Sequence, residues 1–499
     1  MSAFKNQIGA TMSGKQAETE LGESLALRES ALTTNMPGEL SPEEDRAILR
    51  RIDLRLMPLL TISYMLQFID KQTLNFSSIM GIMTDLDLKG TDYTWCASAF
   101  YFGYLAFTSF GSFLMVRLPI GKYLATSSII WALILGCHAA TQSFTGLFIA
   151  RFFLGAAEAS ISPGFSLITG MWYKRQEQPF RHGIWFFGNS VAVMFGSLLG
   201  YAIAHIRGSL AAWRWGFIIF GLVTLAWAIV LLIFLPDTPM KARFLSPEQK
   251  VKAVNRVRSN HTGIKDNHFK WQHVREALLD IKIWLLVIYQ LSFSIPNGAF
   301  TAFSSIILNG FGFTIFQVYL LSIPMGVVHA IFSLGCTLLC SRFKNIRTVV
   351  AASICLVSLG GSMLVRYGPN QGSKLVGLYL FIIYVAGFPI SLSMVSSNVA
   401  GFSKKSVASG MMFMAYTGGN IIGPFLFFPD QAPTYSSGFL GTGICFGIAT
   451  VAMVTLRFVI IFENKRRDKV QGEAPAQHYE DRSINDLTDK ENLNFRYLY

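Results

Sequence analysis

Runs of about 20 apolar residues, long enough to cross a hydrocarbon core about 30 Å thick, recur along this 499-residue chain. In lipid each backbone amide must be satisfied within its own segment, so such runs fold as a bundle of helices. Twelve spans are expected, at approximately 56–79, 94–116, 120–140, 145–172, 183–205 and 215–235, then 283–307, 316–340, 349–365, 375–399, 407–428 and 438–462. Composition agrees: 14% of residues are charged, against about a quarter in soluble domains. The expected fold class is all-α, a polytopic membrane protein with 12 transmembrane helices in two six-helix bundles.

The net charge of +13 would suit nucleic acid, but the basic residues fall between apolar runs, where they orient a membrane chain; nucleic acid is not an expected partner. Short loops on one side carry Arg117, Lys122, Lys174, Arg175, Arg181, Arg342, Lys344, Arg347, Lys404 and Lys405. Those opposite carry only Lys89, Arg207, Arg214, Arg366 and Lys374. The positive-inside bias therefore places both termini in the cytosol. Of two glycosylation sequons, Asn75 is expected inside a helix and Asn260 in the cytosol, so a glycan on Asn260 would overturn this topology. The six cysteines lie in or beside apolar runs and read as packing residues without a disulfide framework. No cleavable signal is expected in the polar first 45 residues, so the first span directs insertion.

The expected organisation is a cytosolic tail over 1–45, a six-helix bundle over 46–235, a linker over 236–282, a second six-helix bundle over 283–463 and a second cytosolic tail over 464–499. Both tails are polar and read as disordered. Ser246, Pro247 and Gln249 form a helix-start signature in the linker, as do Ser41, Pro42 and Glu44 before the first span. Both helices are expected to be amphipathic and to lie at the membrane face. Six spans, a linker and six spans is the layout of a two-bundle secondary transporter, whose site lies between the halves near the midplane. The halves echo each other weakly: "RLPIGKYLA" stands where "SRFKNIRTV" does, and "WYKRQ" where "FSKKS" does.

A full charge at mid-bilayer costs about 2.5 to 3.5 kcal/mol on insertion scales, so it faces a bundle interior, a water cavity or a partner. Two spans contain such charges deeply: the first holds Asp70 and Lys71, and the fourth holds Arg151 and Glu158. Opposite signs on each span predict mutual neutralisation. Seven residues make about two turns, which puts Arg151 and Glu158 on one helix face roughly 10 Å apart. Counting rises from the span ends places Asp70, Lys71 and Arg151 each about 9 Å below the outer surface, with Glu158 nearer the middle. Lysine and arginine can hold an anion, arginine by a two-pronged grip on carboxylate. The carboxyls Glu158 and Asp70 can carry protons. The plain alternative is a structural set of ion pairs between the two spans.

Several segments carry a resemblance: "FIDKQTLNFSSIMG", "FYFGYLAF", "RFFLGAAEASISPGFSLITGMWYKR", "WRWGFIIFG", "LPDTPMKARFLSPEQ", "IPNGAFTAFSS" and "GFSKKSVASGMMFMAYTGGNIIGPFLF". In their order and spacing the chain resembles the major facilitator superfamily, and within it the anion:cation symporters of the fungal allantoate permease group. The resemblance implies proton-coupled uptake of a small organic anion, such as allantoate, nicotinate, pantothenate or biotin, across the plasma membrane, by a monomer without cofactor or metal. It implies proton-coupling roles for Asp70 and Glu158 and substrate contacts for Lys71, Arg151, Asn189, Asn420, Tyr101 and Tyr104. The loop carrying Arg117 and Lys122 would be the gating motif, but the acid usual there is missing between Gly111 and Arg117. Lys71 stands where arginine is often found.

Other features read more plainly. Gly418, Gly419 and Gly423 suit close helix packing rather than phosphate binding, since no strand precedes them. His329, Cys336 and Cys340 share a helix face but make too small a set for a metal. Pro296, Pro324, Pro389 and Pro424 are tolerated helix breaks, those in the seventh and tenth spans candidate kinks. Competing functions are a proton antiporter exporting a metabolite or drug, disfavoured by the absence of proline in "GNSVAVMFGSLLG", and a non-transporting nutrient receptor or scaffold. A sugar carrier is disfavoured because "YQLSFSIPNG" lacks paired glutamines. The pattern is not that of an enzyme.

Overall fold

The computed structural model describes residues 41–174, 177–258, 270–432, 434–471, 487–492 and 495–499. Arg175, Asn260 and residues 1–40 lie outside the described residues. The chain divides into a short unit, Met1–Arg51, and a main unit, Ile52–Tyr499. In the short unit helix α1 (Pro42–Ser78) begins, with Ser41 Oγ accepting from the Glu44 N–H at 3.2 Å. Glu43, Glu44 and Asp45 fill its first turn, where acids complement the helix dipole.

The main unit is all-helical among the described residues. After α1 come α2 (Asp92–Arg117), α3 (Ile120–Ala140), α4 (Phe144–Trp172), α5 (Phe180–Ala204) and α6 (Ala212–Phe234). Two short helices, α7 (Pro247–Arg258) and α8 (Trp271–Leu278), lie in the linker. Then follow α9 (Ile281–Gly310), α10 (Ile315–Arg342), α11 (Arg347–Tyr367), α12 (Gln371–Asn398), α13 (Phe402–Ile422) and α14 (Ser436–Val470). Among the described residues, 10 helices are long and apolar enough to cross a membrane. The expected second and eleventh spans fold as α2 and α13, of 26 and 21 residues, which are not among those 10.

Packing follows the small residues. Gly155 of α4 lies against the Phe100 carbonyl of α2, and Gly103 of α2 against the Phe152 carbonyl of α4. A methyl group at either position would collide with backbone, so the two glycines set how closely these helices cross. In the second half Gly419 and Gly423 pack on Leu291 and Ile295 of α9, whereas Gly418 faces open space.

Prolines act unequally. Helices α9 and α10 run unbroken through Pro296 and Pro324, while α12 tightens to a 3₁₀ turn over Ile382–Ala386, just before Pro389. A 3₁₀ turn over Gly423–Leu426 at Pro424 follows α13. Helix α4 is interrupted between Glu158 and Ile161, because Pro163 cannot donate to the carbonyl of residue 159 and crowds it. The break leaves Glu158 as the last residue of a helical segment.

The linker capping signature forms as expected: Ser246 Oγ accepts from the Gln249 N–H and Gln249 Oε1 from the Ser246 N–H, each at 3.3 Å. Helix α7 is pinned to the first half through the buried Arg256, which donates to Glu177. The expectation of a disordered tail over 464–499 fails in its described parts. Helix α14 continues past 463, and Thr488, Asp489 and Tyr497 are buried. Asp489 and Tyr497 meet Lys282, Lys404 and Arg467, while Thr488 Oγ1 donates to Glu276 at 3.0 Å.

Candidate functional site

The four charges inside the membrane separate into two places. Lys71 of α1 and Glu158 of α4 face each other, Nζ to Oε2, at 3.8 Å. Asp70 points elsewhere: it is fully buried and accepts from Thr224 Oγ1 of α6 at 3.0 Å. Among the described residues no cation lies within 4 Å of it, so the expected neutralisation of Asp70 within its own span does not occur. Successive residues on a helix point about 100° apart, which sends Lys71 toward α4 and Asp70 into the first bundle.

Arg151 is 4% exposed, and its Nε and Nη1 have no hydrogen-bond partner. Its guanidinium lies 5.3 Å from the centre of the Phe100 ring, and Lys71 Nζ lies 5.0 Å from the same centre. One aromatic ring therefore serves two cations, a favourable but incomplete substitute for hydrogen bonds. Both cations line a cavity of about 20 Å³ together with Asn75, Tyr101, Thr301 and Pro424. The cavity is formed jointly by the two halves.

Of the other expected site residues, only Tyr101 lines this cavity. Tyr104 lies 5.8 Å from Lys71 Nζ while stacking on Phe413 of α13. Asn420 is buried in a chain confined to the second half: Tyr384 donates to Asn297, and Asn297 donates to Asn420 Oδ1 at 2.8 Å. Asn189 is buried with its Oδ1 unpartnered and does not line the cavity. Sequence reasoning missed Thr301, Asn297 and Tyr384, which are neutral polar groups without a charge to mark them.

The halves are joined on one side of the cavity, at the end away from α7 and α8. There Asn75 Nδ2 donates to Ser304 Oγ at 2.8 Å and its Oδ1 accepts from the Ser305 N–H at 3.1 Å. Tyr93 donates to the Ala302 carbonyl at 2.7 Å and Tyr319 to that of Phe76 at 3.1 Å. Toward the linker end the halves meet through rings, such as Phe186 on Phe388 at 5.3 Å.

At the loop between α2 and α3 Arg117 and Lys122 are exposed, Arg117 stacking on Phe113 at 4.4 Å. The acid missing from the loop comes from beyond α6: Asp237 Oδ1 accepts from the N–H groups of Gly121 and Lys122 at 3.1 and 3.3 Å. These are orphan donors of the first turn of α3. His329 is buried with both ring nitrogens unpartnered, and all six cysteines are free.

Residues 60–424 match the family profile described as Major Facilitator Superfamily. The chain is similar to the allantoate permease of Saccharomyces cerevisiae, at 35% identity over 92% of this chain and 87% of that protein. It is similar also to the thiamine pathway transporter THI73 of the same yeast, at 31% identity over 92% and 87%. Among solved structures it resembles the D-xylose-proton symporter, with a TM-score of 0.62 at 12% identity over 80% of this chain and 97% of that one. These relatives carry small molecules across membranes and are not enzymes. The chain is an integral, multi-pass membrane transporter and belongs to the Major Facilitator Superfamily.

Proposed function

We propose that the protein is a symporter that couples protons to the uptake of a small organic anion, working as a single chain in the plasma membrane with both termini cytosolic. The observation that carries this reading is Arg151, a buried guanidinium whose Nε and Nη1 are unpartnered, at a cavity between the halves. A planar carboxylate is the ligand that such a fork grips in two places. The allantoate permease relative supports a carboxylate of that size.

Charge balance supplies the coupling. With Glu158 ionised, Lys71 is engaged by it, and only Arg151 is available to an anion. A proton on Glu158 releases Lys71 to join Arg151, so proton and anion each favour the other's binding by the same factor. A cavity of about 20 Å³ holds little more than a water molecule, so loading requires the halves to part, as alternating access demands. Asp70, set in the first bundle beside Thr224, is a second protonatable group away from the anion.

Purified protein in liposomes tests the reading. An inward proton gradient should drive accumulation of labelled allantoate or another carboxylate from a panel. Carboxylate transport that ignores the gradient would sink proton symport.

A further inference from the structure

At the linker end of the second half, Lys404 Nζ is enclosed by three carboxylates: Asp489 at 2.6 Å, Glu276 at 2.8 Å and Asp280 at 2.9 Å. The ammonium fills the space in which these acids could otherwise hold a metal ion. Asp489 does not come from the bundle. It belongs to the 487–499 segment, which the chain brings back after α14.

The segment is held along its length. Arg467 of α14, 4% exposed, donates through Nη1 to the carbonyls of Asp489, Asn492 and Phe495 at 3.0, 3.3 and 2.9 Å. The Tyr497 hydroxyl sits 2.7 Å from Asp489 Oδ2, 2.9 Å from Lys282 Nζ and 3.0 Å from Arg467 Nη2. Asn398 at the end of α12 pairs with the backbone of Leu498 in both directions, at 2.7 and 2.8 Å. Asn398 thus satisfies both backbone groups of Leu498, and main-chain hydrogen bonds of this kind give a peptide ligand affinity. Every partner named lies in the second half or in α8.

The first half has a counterpart. The chain that follows α6 caps α3, through Asp237 on the Gly121 and Lys122 N–H groups. The chain that follows α14 caps α11, the Tyr499 carbonyl accepting from the Arg347 N–H at 3.2 Å. In the first half Arg181 pairs with Asp53 of α1 at 2.8 Å, and Arg256 of the following chain joins through Glu177. In the second, Lys404 pairs with Asp280 ahead of α9, and Asp489 of the following chain joins.

We propose that the linker end of the second half is a peptide-binding site and that residues 487–492 and 495–499 supply the contacts of its resident ligand. The class of ligand is a segment whose aspartate lies in a turn, closed by the Asn492 N–H on the Thr488 carbonyl at 3.0 Å, and which carries a tyrosine eight residues on. Seated there, it ties α8, α9, α12 and α14 into one body, as the chain after α6 ties the first half. Its contacts with these helices are all non-covalent, so weakening them should empty the site.

Full-length protein with a protease site inserted between 472 and 486 tests this. In the uncut protein the amides of residues 497 and 498 should exchange hydrogen at least about tenfold more slowly than in synthetic 487–499 peptide. After cleavage and washing, the fragment should remain bound and the melting temperature hold; the same protein carrying Asp489→Asn and Tyr497→Phe should lose the fragment and melt lower. Wild-type synthetic peptide added to that stripped protein should restore the melting temperature, which separates loss of the strap from misfolding. Exchange at the free-peptide rate, or a cleaved fragment that washes away with no change in melting, would overturn the proposal. None of these readouts depends on which solute is carried.

Discussion

Lys71 of α1 and Glu158 of α4 stand 3.8 Å apart at an interruption in α4, and they are the one ion pair at the cavity among the described residues. If Glu158 is the proton carrier, Glu158→Gln fixes it in its neutral form and leaves Lys71 permanently released. Gradient-driven accumulation should then fall at least about tenfold, to background, while exchange of labelled for unlabelled carboxylate across liposomes persists. Accumulation that survives the change would assign the proton to another group. Asp70→Asn, altering a residue that faces Thr224 rather than the cavity, should leave anion affinity within about twofold.

Arg151→Lys keeps the charge and removes the fork. A charged hydrogen bond is worth about 1.5 to 3 kcal/mol, so losing one arm should weaken anion binding by roughly 10- to 100-fold. Binding by thermal stabilisation of the purified protein measures this directly, and Lys71→Arg serves as the comparison that adds a fork instead. Equal affinity for Arg151→Lys and wild type would mean that the anion does not meet the guanidinium.

How far the sequence reached follows from what marks a residue. Arg151 and Glu158 were legible because a charge in an apolar run stands out and a seven-residue spacing fixes a common face. The divergence of Asp70 from Lys71 was not, since the facing of adjacent residues depends on which helices pack on either side. Asn297 and Tyr384 carry no charge and look like ordinary residues of an apolar helix. The burial of Asp489 and Tyr497 depends on Lys282, Lys404 and Arg467; Lys404 reads from the sequence as a loop charge, and nothing there marks Lys282 or Arg467 as partners of the distant tail. The acid that caps the loop between α2 and α3 is Asp237, more than a hundred residues from that backbone.

Two adjacent glycines of α13 should respond oppositely to the same substitution. A methyl group at Gly419 would meet Ser294 Cβ at 2.6 Å and the Leu291 carbonyl at 2.9 Å, whereas Gly418 has nothing within 4 Å. Gly419→Ala should therefore cost about 1 to 3 kcal/mol by forcing α9 and α13 apart. Gly418→Ala should be neutral or stabilise by up to about 1 kcal/mol through the stiffer helix. Melting temperatures of the two variants in detergent check the contrast, and a Gly419→Ala protein as stable as Gly418→Ala would show that the close crossing is not needed.

Asn75 is bonded to the second half through both ends of its amide, at 2.8 and 3.1 Å. Each neutral hydrogen bond is worth about 0.5 to 1.5 kcal/mol net, so Asn75→Ala should shift the balance by about 1 to 3 kcal/mol toward states open at that end. Thr301→Cys, a cavity-lining position, supplies the probe. Its labelling by a membrane-impermeant thiol reagent from that side should speed up about tenfold or more in the Asn75→Ala background. An unchanged rate would place the seal in the Tyr93 and Tyr319 contacts instead.

The docked 487–499 segment should depend on pH through Asp280. Burial alone would push this carboxyl upward, but the ammonium groups of Lys282, Lys404 and Lys490 outweigh it and hold the group below its usual value. Glu276 and Asp489 share Lys404 and compete for it. A group whose pKa is lowered on folding contributes stability above its unfolded value, near pH 4, and loses that contribution as pH falls through the lower folded value. Hydrogen exchange at residues 497 and 498 should thus stay slow from neutral pH down to about pH 4, once corrected for the intrinsic rate, and accelerate only below it. Asp280→Asn should remove the acid-side dependence and speed exchange already at neutral pH, because Lys404 then keeps two carboxylate partners in place of three. Exchange that rises steadily between pH 7 and 5 would point to a different titrating group and would separate the segment's docking from the Lys404 cluster.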